Sequence, residues 1–421
     1  MSSESIPFVQ SGSFIYEVNT RQYSASGHLQ ALIGHLPRLA EMHTGVLWLM
    51  PLYPIGKAGR KGSLGSYYSV QDYLSIDPAY GSMADLIRLT EQAHALGMKV
   101  ILDWVANHTA WDHAWIHARP DFYSRDASGN IRAPFPEWED VAQLDYNNPG
   151  LWEEMIRAMQ FWPDKAGIDG FRCDMANLVP TAFWKEAIRR LGENKTLFWL
   201  AEAEDPGLLE AGFHLLYHWK LLHAMDGFIH TEGNAARLDR EVVGELSSVP
   251  SGKSFLLFTS NHDENSWKGS AVERLGASLE ACISLCFTLP GVPLVYGGQE
   301  AGLNKRLLFF DKDLIPWKED KLEKLITRLA QLRLEHPALW PGSAFRRIPN
   351  SAGHDVFTFC RERNGNRVLV MLNLSWQERS FSLENYLSDG LYTEAISLES
   401  IHAAQGARWT LGPWQWMILT K

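Results

Sequence analysis

Short apolar runs alternate with longer amphipathic segments through most of the 421-residue chain, and this alternation restricts the fold more than any other feature. The short runs have the length and composition of buried strands, whereas the longer segments repeat apolar residues with helical spacing. The predicted strands are Phe14–Val18, Val46–Leu49, Val100–Val105, Gly170–Cys173, Phe198–Ala201, Phe213–Tyr217, Phe255–Phe258 and Pro293–Tyr296. Eight such strand–helix units predict an α/β fold, the (β/α)8 TIM barrel.

Amphipathic segments follow most of these strands, and local signals support some of their ends. Gly97 is a typical residue after a helix, and Pro180 with Thr181 is a typical helix start. The predicted helices are His28–Met42, Met83–Leu96, Leu151–Asp164, Thr181–Leu191, Asn234–Leu246, Val272–Thr288 and Leu322–Leu332.

Two regions depart from this pattern. The segment after the third strand is too long for a simple loop and is rich in Asp, Pro, Trp and His, so residues 107–146 are predicted to form a small inserted subdomain. After about Pro341, short alternating runs separated by turn residues predict an antiparallel β-sandwich over 341–421. The barrel would then comprise residues 1–106 and 147–340.

Charge and composition exclude several kinds of partner. The net charge is −10 and no run of Lys and Arg occurs, which argues against nucleic acid and anionic membranes. No apolar stretch reaches the ~18 residues of a membrane span. The first ten residues lack a signal-peptide pattern. We therefore expect a soluble protein, cytoplasmic if this N-terminus is native and otherwise periplasmic or secreted.

The chain contains 17 tryptophans, and this high number has two possible explanations. Trp and Tyr rings stack on the apolar faces of sugars, so a carbohydrate ligand is one explanation. Large aromatic side chains also fill cores, because they bury so much apolar area. For any single Trp, the core explanation is favoured.

Four acids are predicted at the carboxyl ends of barrel strands, where barrel enzymes have their active sites. They are Asp103, Asp174, Glu202 and Asp263, each in or after the last part of a different strand. Arg172 lies two residues before Asp174, so both side chains point to the same side of an extended strand. A guanidinium there would keep Asp174 ionised and hold its orientation.

Such a set of acids suits glycoside hydrolysis. One carboxylate attacks the anomeric carbon while a protonated carboxyl gives its proton to the leaving oxygen. Crowding of carboxylates raises the pKa of one of them, which keeps an acid protonated near neutral pH. From spacing alone, a metal-dependent barrel enzyme remains a competing interpretation.

Four short motifs lie in the same regions. They are LDWVANHT (Leu102–Thr109), DGFRCDMAN (Asp169–Asn177), LAEAED (Leu200–Asp205) and FTSNHDEN (Phe258–Asn265). In sequence and in order they resemble the motifs of the α-amylase family, glycoside hydrolase family 13. Supporting matches lie at Gly45–Pro51, Ala142–Tyr146 and Gly291–Gly302, and Ser66–Pro78 resembles the family's loop that carries a stacking tyrosine.

The resemblance implies a role for each matching residue. Asp174 would be the nucleophile, Glu202 the general acid/base, and Asp263 the carboxylate that binds two sugar hydroxyls. The residues implied to support them are Arg172, which would hold the nucleophile, His108 and His262, which would bind the sugar, Tyr68, which would stack on it, and Asp103, a structural acid.

The implied reaction is a double displacement with retention at the anomeric carbon, which predicts carboxyl groups ~5–5.5 Å apart. The expected function is hydrolysis of α-glucosidic bonds, α-1,4 bonds foremost, in malto-oligosaccharides or starch-like glucans, with no cofactor in the chemistry. A transglycosylase or a sugar-isomerising member of the same family is the alternative. A non-catalytic relative is disfavoured because all three implied catalytic acids are present.

The match weakens after the nucleophile. Many α-amylases carry Lys-His there, for substrate contact and calcium, but this chain has Met175-Ala176-Asn177. Asn107 matches a family calcium ligand, yet calcium takes six to eight oxygen ligands and no further ligand is evident. A structural calcium bound by Asn107 therefore stays open, beside the interpretation that Asn107 braces its loop through a hydrogen bond.

Overall fold

The computed structural model describes residues 6, 12–384, 390–404 and 406–421. The signal-peptide prediction falls mainly on residues outside this description. The predicted sandwich 341–421 includes residues 385–389 and 405, which also lie outside it. In the part of the chain that is described, no helix combines the length and the apolar character that crossing a membrane requires.

The predicted barrel is present. Eight strands close in the order β1-β10-β9-β8-β7-β6-β3-β2, while β4 and β5 form a separate antiparallel pair. Each of the eight predicted strands is confirmed, with small shifts at the ends. The first ten strands are β1 Phe14–Val18, β2 Thr44–Leu49, β3 Lys99–Val105, β4 His108–Ala110, β5 Val141–Gln143, β6 Gly170–Asp174, β7 Phe198–Ala201, β8 Leu215–Tyr217, β9 Ser254–Phe258 and β10 Val292–Tyr296.

Three of the predicted helices are each divided in two. The segment 28–42 breaks because Pro37 lies in the first turn of a new helix, and the segment 272–288 breaks at Gly276, where φ is +49°. The helices are α1 Thr20–Tyr23, α2 Leu29–Ile33, α3 Leu36–Glu41, α4 Met83–Ala95, α5 Trp115–Ala118, α6 Pro149–Ala166, α7 Thr181–Gly192, α8 Gly207–Ala211, α9 Trp219–Asp226, α10 Asn234–Glu241, α11 Val243–Ser247, α12 Ala271–Leu275, α13 Leu279–Thr288 and α14 Lys321–Glu335.

The insertion after β3 is small and carries the antiparallel pair β4–β5. Phe122 and Tyr123 are buried in it, as expected for residues that form the subdomain's own core. Trp138 instead lies with its ring centroid 5.6 Å from that of His108, an edge-on contact. One aromatic of the insertion thus reaches a residue that sequence analysis assigns to the sugar site.

The C-terminal region is the expected antiparallel β-sandwich. A six-stranded sheet has the order β11-β12-β13-β18-β15-β16, and β14 pairs with β17. A core of side chains that includes Val356, Leu369, Phe381 and Leu411 draws on both sheets. The strands are β11 Ala344–Arg347, β12 Val356–Arg363, β13 Asn366–Asn373, β14 Arg379–Ser382, β15 Gly390–Glu394, β16 Ser400–Ala403, β17 Arg408–Leu411 and β18 Trp416–Thr420.

The chain also divides into two compact units. Tyr16–Tyr217 and Arg306–Pro316 form what we call the N-terminal unit, and the remaining residues form the C-terminal unit. This division runs through the barrel strands, so it differs from the division into barrel, insertion and sandwich that the sequence predicts. Those domain boundaries stay a prediction.

Asp169 joins several elements of the N-terminal unit just before β6. Its carboxylate is almost fully buried and accepts hydrogen bonds from His94 Nε2 at 2.6 Å and from the Val100 amide at 3.0 Å. The ammonium groups of Lys195 and Lys99 lie 3.4 and 3.7 Å away. Because this is the amino-terminal end of the strands, the cluster serves stability rather than chemistry.

Three buried histidines should make stability depend on pH. Burial lowers the pKa of His108, His113 and His218 from 6.5 to about 4 in each case. Between those values the unfolded chain binds protons that the folded chain does not, so stability falls as pH falls from 6.5 to 4, by about 1.4 kcal/mol per pH unit for each histidine. Urea titrations across this range should show the decline.

A substitution of His218 isolates the contribution of this histidine to the pH dependence of stability. The Nδ1 atom of His218 accepts the Leu221 amide and caps α9, and an asparagine can make the same kind of bond. The variant His218→Asn should therefore unfold with a shallower pH dependence, by about 1.4 kcal/mol per pH unit. An unchanged slope would show that this histidine is accommodated in its charged form.

Candidate active site

The N-terminal unit brings five of the predicted site residues together at the carboxyl ends of its strands. Asp174 is the last residue of β6, Glu202 follows β7, and Asp103 lies near the end of β3. Arg172, also in β6, is fully buried among them, and Tyr68 lies in the loop after β2. Strand geometry therefore delivers these groups to one place.

Arg172 is the centre of the cluster. Its Nη1 atom is 2.9 Å from Asp103 Oδ1 and 3.0 Å from Asp174 Oδ1. Its Nη2 atom is 2.9 Å from Glu202 Oε2, a charge contact that lacks the alignment of a hydrogen bond. A single guanidinium thus fixes three carboxylates that come from three neighbouring strands.

The guanidinium of Arg172 stays protonated and positively charged. Burial alone would lower the pKa of this guanidinium, but the carboxylates of Asp103 and Glu202 outweigh burial and hold the pKa well above its usual range. The Nε atom donates to Tyr217 Oη at 3.2 Å, and burial raises the pKa of that phenol, which stays neutral. The cluster therefore combines one permanent cation with three carboxyl groups.

Asp103 has the contacts of a structural acid. It is completely buried, and its Oδ2 atom accepts hydrogen bonds from Trp48 Nε1 and Tyr68 Oη, both at 3.1 Å. With Arg172 on Oδ1, both carboxylate oxygens have protein partners. Asp103 thereby orients Tyr68 and Arg172, while Asp174 and Glu202 lie closer to solvent.

The two oxygens of Glu202 have different surroundings. Oε2 accepts the Met175 amide at 2.8 Å and contacts Arg172, so every described protein contact of the carboxyl falls on this atom. Oε1 has no hydrogen bond or ion pair within the described part of the chain. Since a proton on Oε2 would conflict with these two donors, a proton on Glu202 belongs on Oε1.

His108 is placed beside this cluster as a neutral ring. Its Nδ1 atom lies 3.2 Å from the side-chain Nδ2 atom of Asn107, and the ring also hydrogen-bonds the backbone of Tyr68. At neutral pH it carries no charge because burial lowers its pKa to about 4. Both contacts are to protein groups, so its predicted contact with sugar stays a prediction.

His262 and Asp263 lie in the C-terminal unit, in the loop after β9. His262 is buried and its Nε2 atom is 3.2 Å from Asp263 Oδ2, while the Asp263 side chain is about one-third exposed. The loop therefore presents a carboxylate held by an adjacent imidazole. Its role beside Asp174 and Glu202 stays a prediction from the family resemblance.

Two groups that contact the cluster, the Tyr217 side chain and the Met175 amide, were not predicted from the sequence. Tyr217 is the last residue of β8, so its place at a strand end was a signal that could have been used. The Met175 amide gave no such signal, because backbone donors carry no mark in the sequence. Its bond to Glu202 depends on an unusual backbone conformation, with φ 41° and ψ 46°.

The region of the predicted calcium ligand is held by protein groups. In succession, the carbonyls of residues 105, 106, 107 and 108 accept donors from the protein. These bonds are Tyr73 Oη to Val105 O (2.6 Å) and to His108 O (3.1 Å), Tyr146 Oη to Ala106 O (2.8 Å), and the Leu144 amide to Asn107 O (3.0 Å).

These contacts disfavour a calcium cage around Asn107. Carbonyl and carboxylate oxygens are the ligands calcium needs, and the carbonyls here already have donors. Over the described residues, no group of three or more His, Cys, Asp or Glu side chains could hold a metal. We propose that tyrosine hydroxyls, rather than an ion, brace this turn.

Removing the Tyr73 hydroxyl tests that proposal. The variant Tyr73→Phe leaves two buried carbonyls short of a donor, so we expect a loss of about 1–3 kcal/mol in the free energy of unfolding. A chelator should leave the melting temperature of the unmodified protein unchanged. A large drop in melting temperature with chelator, reversed by added calcium, would contradict the proposal.

Comparison with known proteins agrees with this site. The family model described as alpha amylase, catalytic domain, matches residues 11–128. The maltogenic alpha-amylase AmyB of Thermotoga neapolitana is 30% identical, with a TM-score of 0.89 over 97% of this chain and 98% of that one. An alpha-amylase of Lactobacillus plantarum is 27% identical, with a TM-score of 0.86 over 98% and 99% of the two chains.

A curated relative is longer than this chain. Alpha-amylase MalA of Haloarcula japonica is 27% identical over 390 residues, which cover 88% of this chain and 56% of that protein. This chain therefore spans about half the length of that relative. The identity to AmyB, its near-complete coverage of both chains and the carboxylates around Arg172 together show that this chain belongs to the α-amylase family, glycoside hydrolase family 13.

Proposed function

We propose that the protein hydrolyses α-glucosidic bonds, chiefly α-1,4 bonds, in malto-oligosaccharides or starch-like glucans, with retention at the anomeric carbon. One observation carries the proposal. The guanidinium of Arg172 contacts both Asp174 and Glu202, within 3.0 Å of each, at the mouth of a barrel. A cation shared by two carboxyl groups supports the short separation, ~5–5.5 Å, that a retaining mechanism needs.

In the first step, Asp174 acts as nucleophile. A carboxylate oxygen forms a bond to the anomeric carbon as the bond from that carbon to the leaving oxygen breaks. The proton on Glu202 Oε1 passes to the leaving oxygen, which departs as the hydroxyl of the second sugar. Arg172 keeps Asp174 ionised before this step, because it offers a fixed positive charge 3.0 Å from Oδ1.

In the second step, Glu202 acts as a base. Its carboxylate takes a proton from water, and the water oxygen bonds to the anomeric carbon as the ester bond to Asp174 breaks. Glu202 is protonated again and Asp174 is a carboxylate again, so the cycle closes. The positive charge of Arg172 stabilises the departing Asp174 carboxylate in this step.

The remaining roles follow the family resemblance. Asp263 would bind the sugar's 2- and 3-hydroxyls, and His108 and His262 would hydrogen-bond the same sugar. Tyr68, whose hydroxyl is tied to Asp103, would offer its ring face for stacking. The donors and aromatic surfaces fit an oligosaccharide rather than a charged polymer.

Transfer to another sugar is the second candidate. The same glycosyl–enzyme ester can react with a sugar hydroxyl in place of water, and the residues beyond the cleavage point decide which occurs. In this chain the family's Lys-His pair is absent from that region, and Asn177 is an exposed residue there. This difference from the family supports a transglycosylase or a sugar-isomerising activity as the second candidate.

One set of digests separates these activities. Starch, pullulan, maltotriose and trehalose would be incubated with the enzyme, and proton NMR would follow the first anomer released. We expect the α-anomer from the glucans first, with shorter products. Initial release of the β-anomer would contradict retention, and products longer than maltotriose from maltotriose would indicate transfer.

A further inference from the structure

Met175, which directly follows the proposed nucleophile, has a backbone conformation that L-residues rarely adopt. Its φ of 41° and ψ of 46° lie in the left-handed region, which favours glycine. Few other described residues besides glycine share this feature, among them His43 with φ 63°. Strained residues of this kind persist where the surrounding structure holds them, often at functional sites.

The contacts of this residue link the two proposed catalytic carboxyls. The Met175 amide, at the start of this left-handed turn, donates to Glu202 Oε2 at 2.8 Å. The next amide, that of Ala176, donates to the backbone carbonyl of Glu202 at 3.2 Å, and the Glu202 amide donates to the Cys173 carbonyl at 3.0 Å. Three hydrogen bonds therefore tie Glu202 to the segment that carries Asp174.

We propose that the left-handed backbone of Met175 is a positioning device for Glu202, which holds Oε2 so that Oε1 faces the bond to be cleaved. This inference rests on the proposed function. β6 fixes the chain before Met175, and the bond from the Ala176 amide to the Glu202 carbonyl fixes it afterwards. Because both ends are fixed, an extended or right-handed conformation at Met175 would rotate the peptide between Asp174 and Met175 and leave Oε2 with Arg172 alone. The carboxyl could then rotate, and the proton on Oε1 would lose its alignment with the leaving oxygen.

Leaving-group chemistry distinguishes a positioning role from a structural one. A sugar is a poor leaving group and needs the proton of Glu202, whereas 2-chloro-4-nitrophenolate leaves without one. Because kcat/KM reports the first step, misplacement of the acid lowers kcat/KM for maltotetraose far more than for 2-chloro-4-nitrophenyl α-maltotrioside. General loss of structure lowers both alike.

The test compares two substitutions at one position. Valine strongly disfavours the left-handed conformation, so Met175→Val should lower kcat/KM on maltotetraose by about 30-fold or more, and on the chloronitrophenyl substrate by about 3-fold or less. Glycine permits the conformation, so Met175→Gly should lose far less on maltotetraose, about 5-fold at most. If Met175→Val does not fold, Met175→Ala takes its place.

His43 provides the matched control. It also has positive φ, but it lies between α3 and β2, away from the carboxylate cluster. The variant His43→Val should lower the melting temperature as Met175→Val does, without changing the ratio of kcat/KM for the two substrates. A change in this ratio in His43→Val, or equal losses on both substrates in Met175→Val, would overturn the inference.

Glu202→Gln serves as the reference for a missing acid. It should lose most activity on maltotetraose and keep much of its kcat/KM on the chloronitrophenyl substrate. If Glu202→Gln shows no such difference, the assignment of Glu202 as acid fails, and with it the proposed function. If Glu202→Gln shows the difference and Met175→Val does not, only the positioning role of Met175 fails.

Discussion

Replacement of Asp174 by asparagine should lower kcat/KM on malto-oligosaccharides by about 10⁴-fold or more, equivalent to about 5.4 kcal/mol of transition-state stabilisation. An amide oxygen is too weak a nucleophile to form the glycosyl–enzyme ester. The fold should persist, because the amide oxygen can still accept the hydrogen bond from Arg172 Nη1, and Asp103 still compensates the guanidinium. Steady-state kinetics and a melting curve would measure both effects.

The control for this variant is Asp164→Asn, which removes the same charge from an exposed position of α6. Its kinetics should match those of the unmodified protein. If Asp174→Asn kept a tenth of the activity or more, the nucleophile would have to be another residue. If it lost its fold, the loss of activity would say nothing about chemistry, and Asp174→Glu, which keeps the charge but moves it, would replace it as the test.

The largest loss of stability should come from Asp169→Asn. The carboxylate accepts His94 Nε2 and the Val100 amide while two ammonium groups lie within 3.7 Å, and an amide can satisfy only part of this set. Removing one partner from a buried charged group typically costs about 3–5 kcal/mol. We expect a fall of about that size in the free energy of unfolding measured with urea.

Asp164→Asn is again the matched control, since that carboxylate is exposed and its loss should change stability by about 0.5 kcal/mol or less. The kcat of folded Asp169→Asn should stay close to normal, because the substitution lies before β6, at the end of the strand opposite Asp174. A stability change below about 1 kcal/mol would mean that solvent reaches this carboxylate and replaces the missing bonds.

Much of the fold and part of the site followed from the sequence, for a physical reason. Buried parallel strands are short apolar runs, so their ends are visible, and acids just after them must lie at one rim of a barrel. Asp103, Asp174 and Glu202 were predicted in this way, and the structure places them around Arg172. The family resemblance supplied roles that spacing alone left open.

The remaining features depend on contacts between distant parts of the chain. Tyr73 donates to carbonyls 32 and 35 residues away, and no local pattern shows which carbonyl a buried phenol will reach. The left-handed backbone of Met175 is similarly invisible, because methionine has no preference for it and the contact with Glu202 joins residues 27 positions apart. The prediction of one continuous helix over 28–42 was wrong for a local reason that the sequence shows. Pro37 lies in the first turn of a second helix.

The pairing of β6 with β7 has a consequence for how such an enzyme can change its specificity. Arg172 lies opposite Leu200 and Cys173 opposite Ala201, so the spacing between the two carboxyls that act on the glycosidic bond is set by hydrogen bonds between adjacent strands. Loops can therefore be lengthened, shortened or exchanged without disturbing that spacing. A transplanted insertion at 107–146 should alter which sugars are accepted while the stereochemical outcome stays the same.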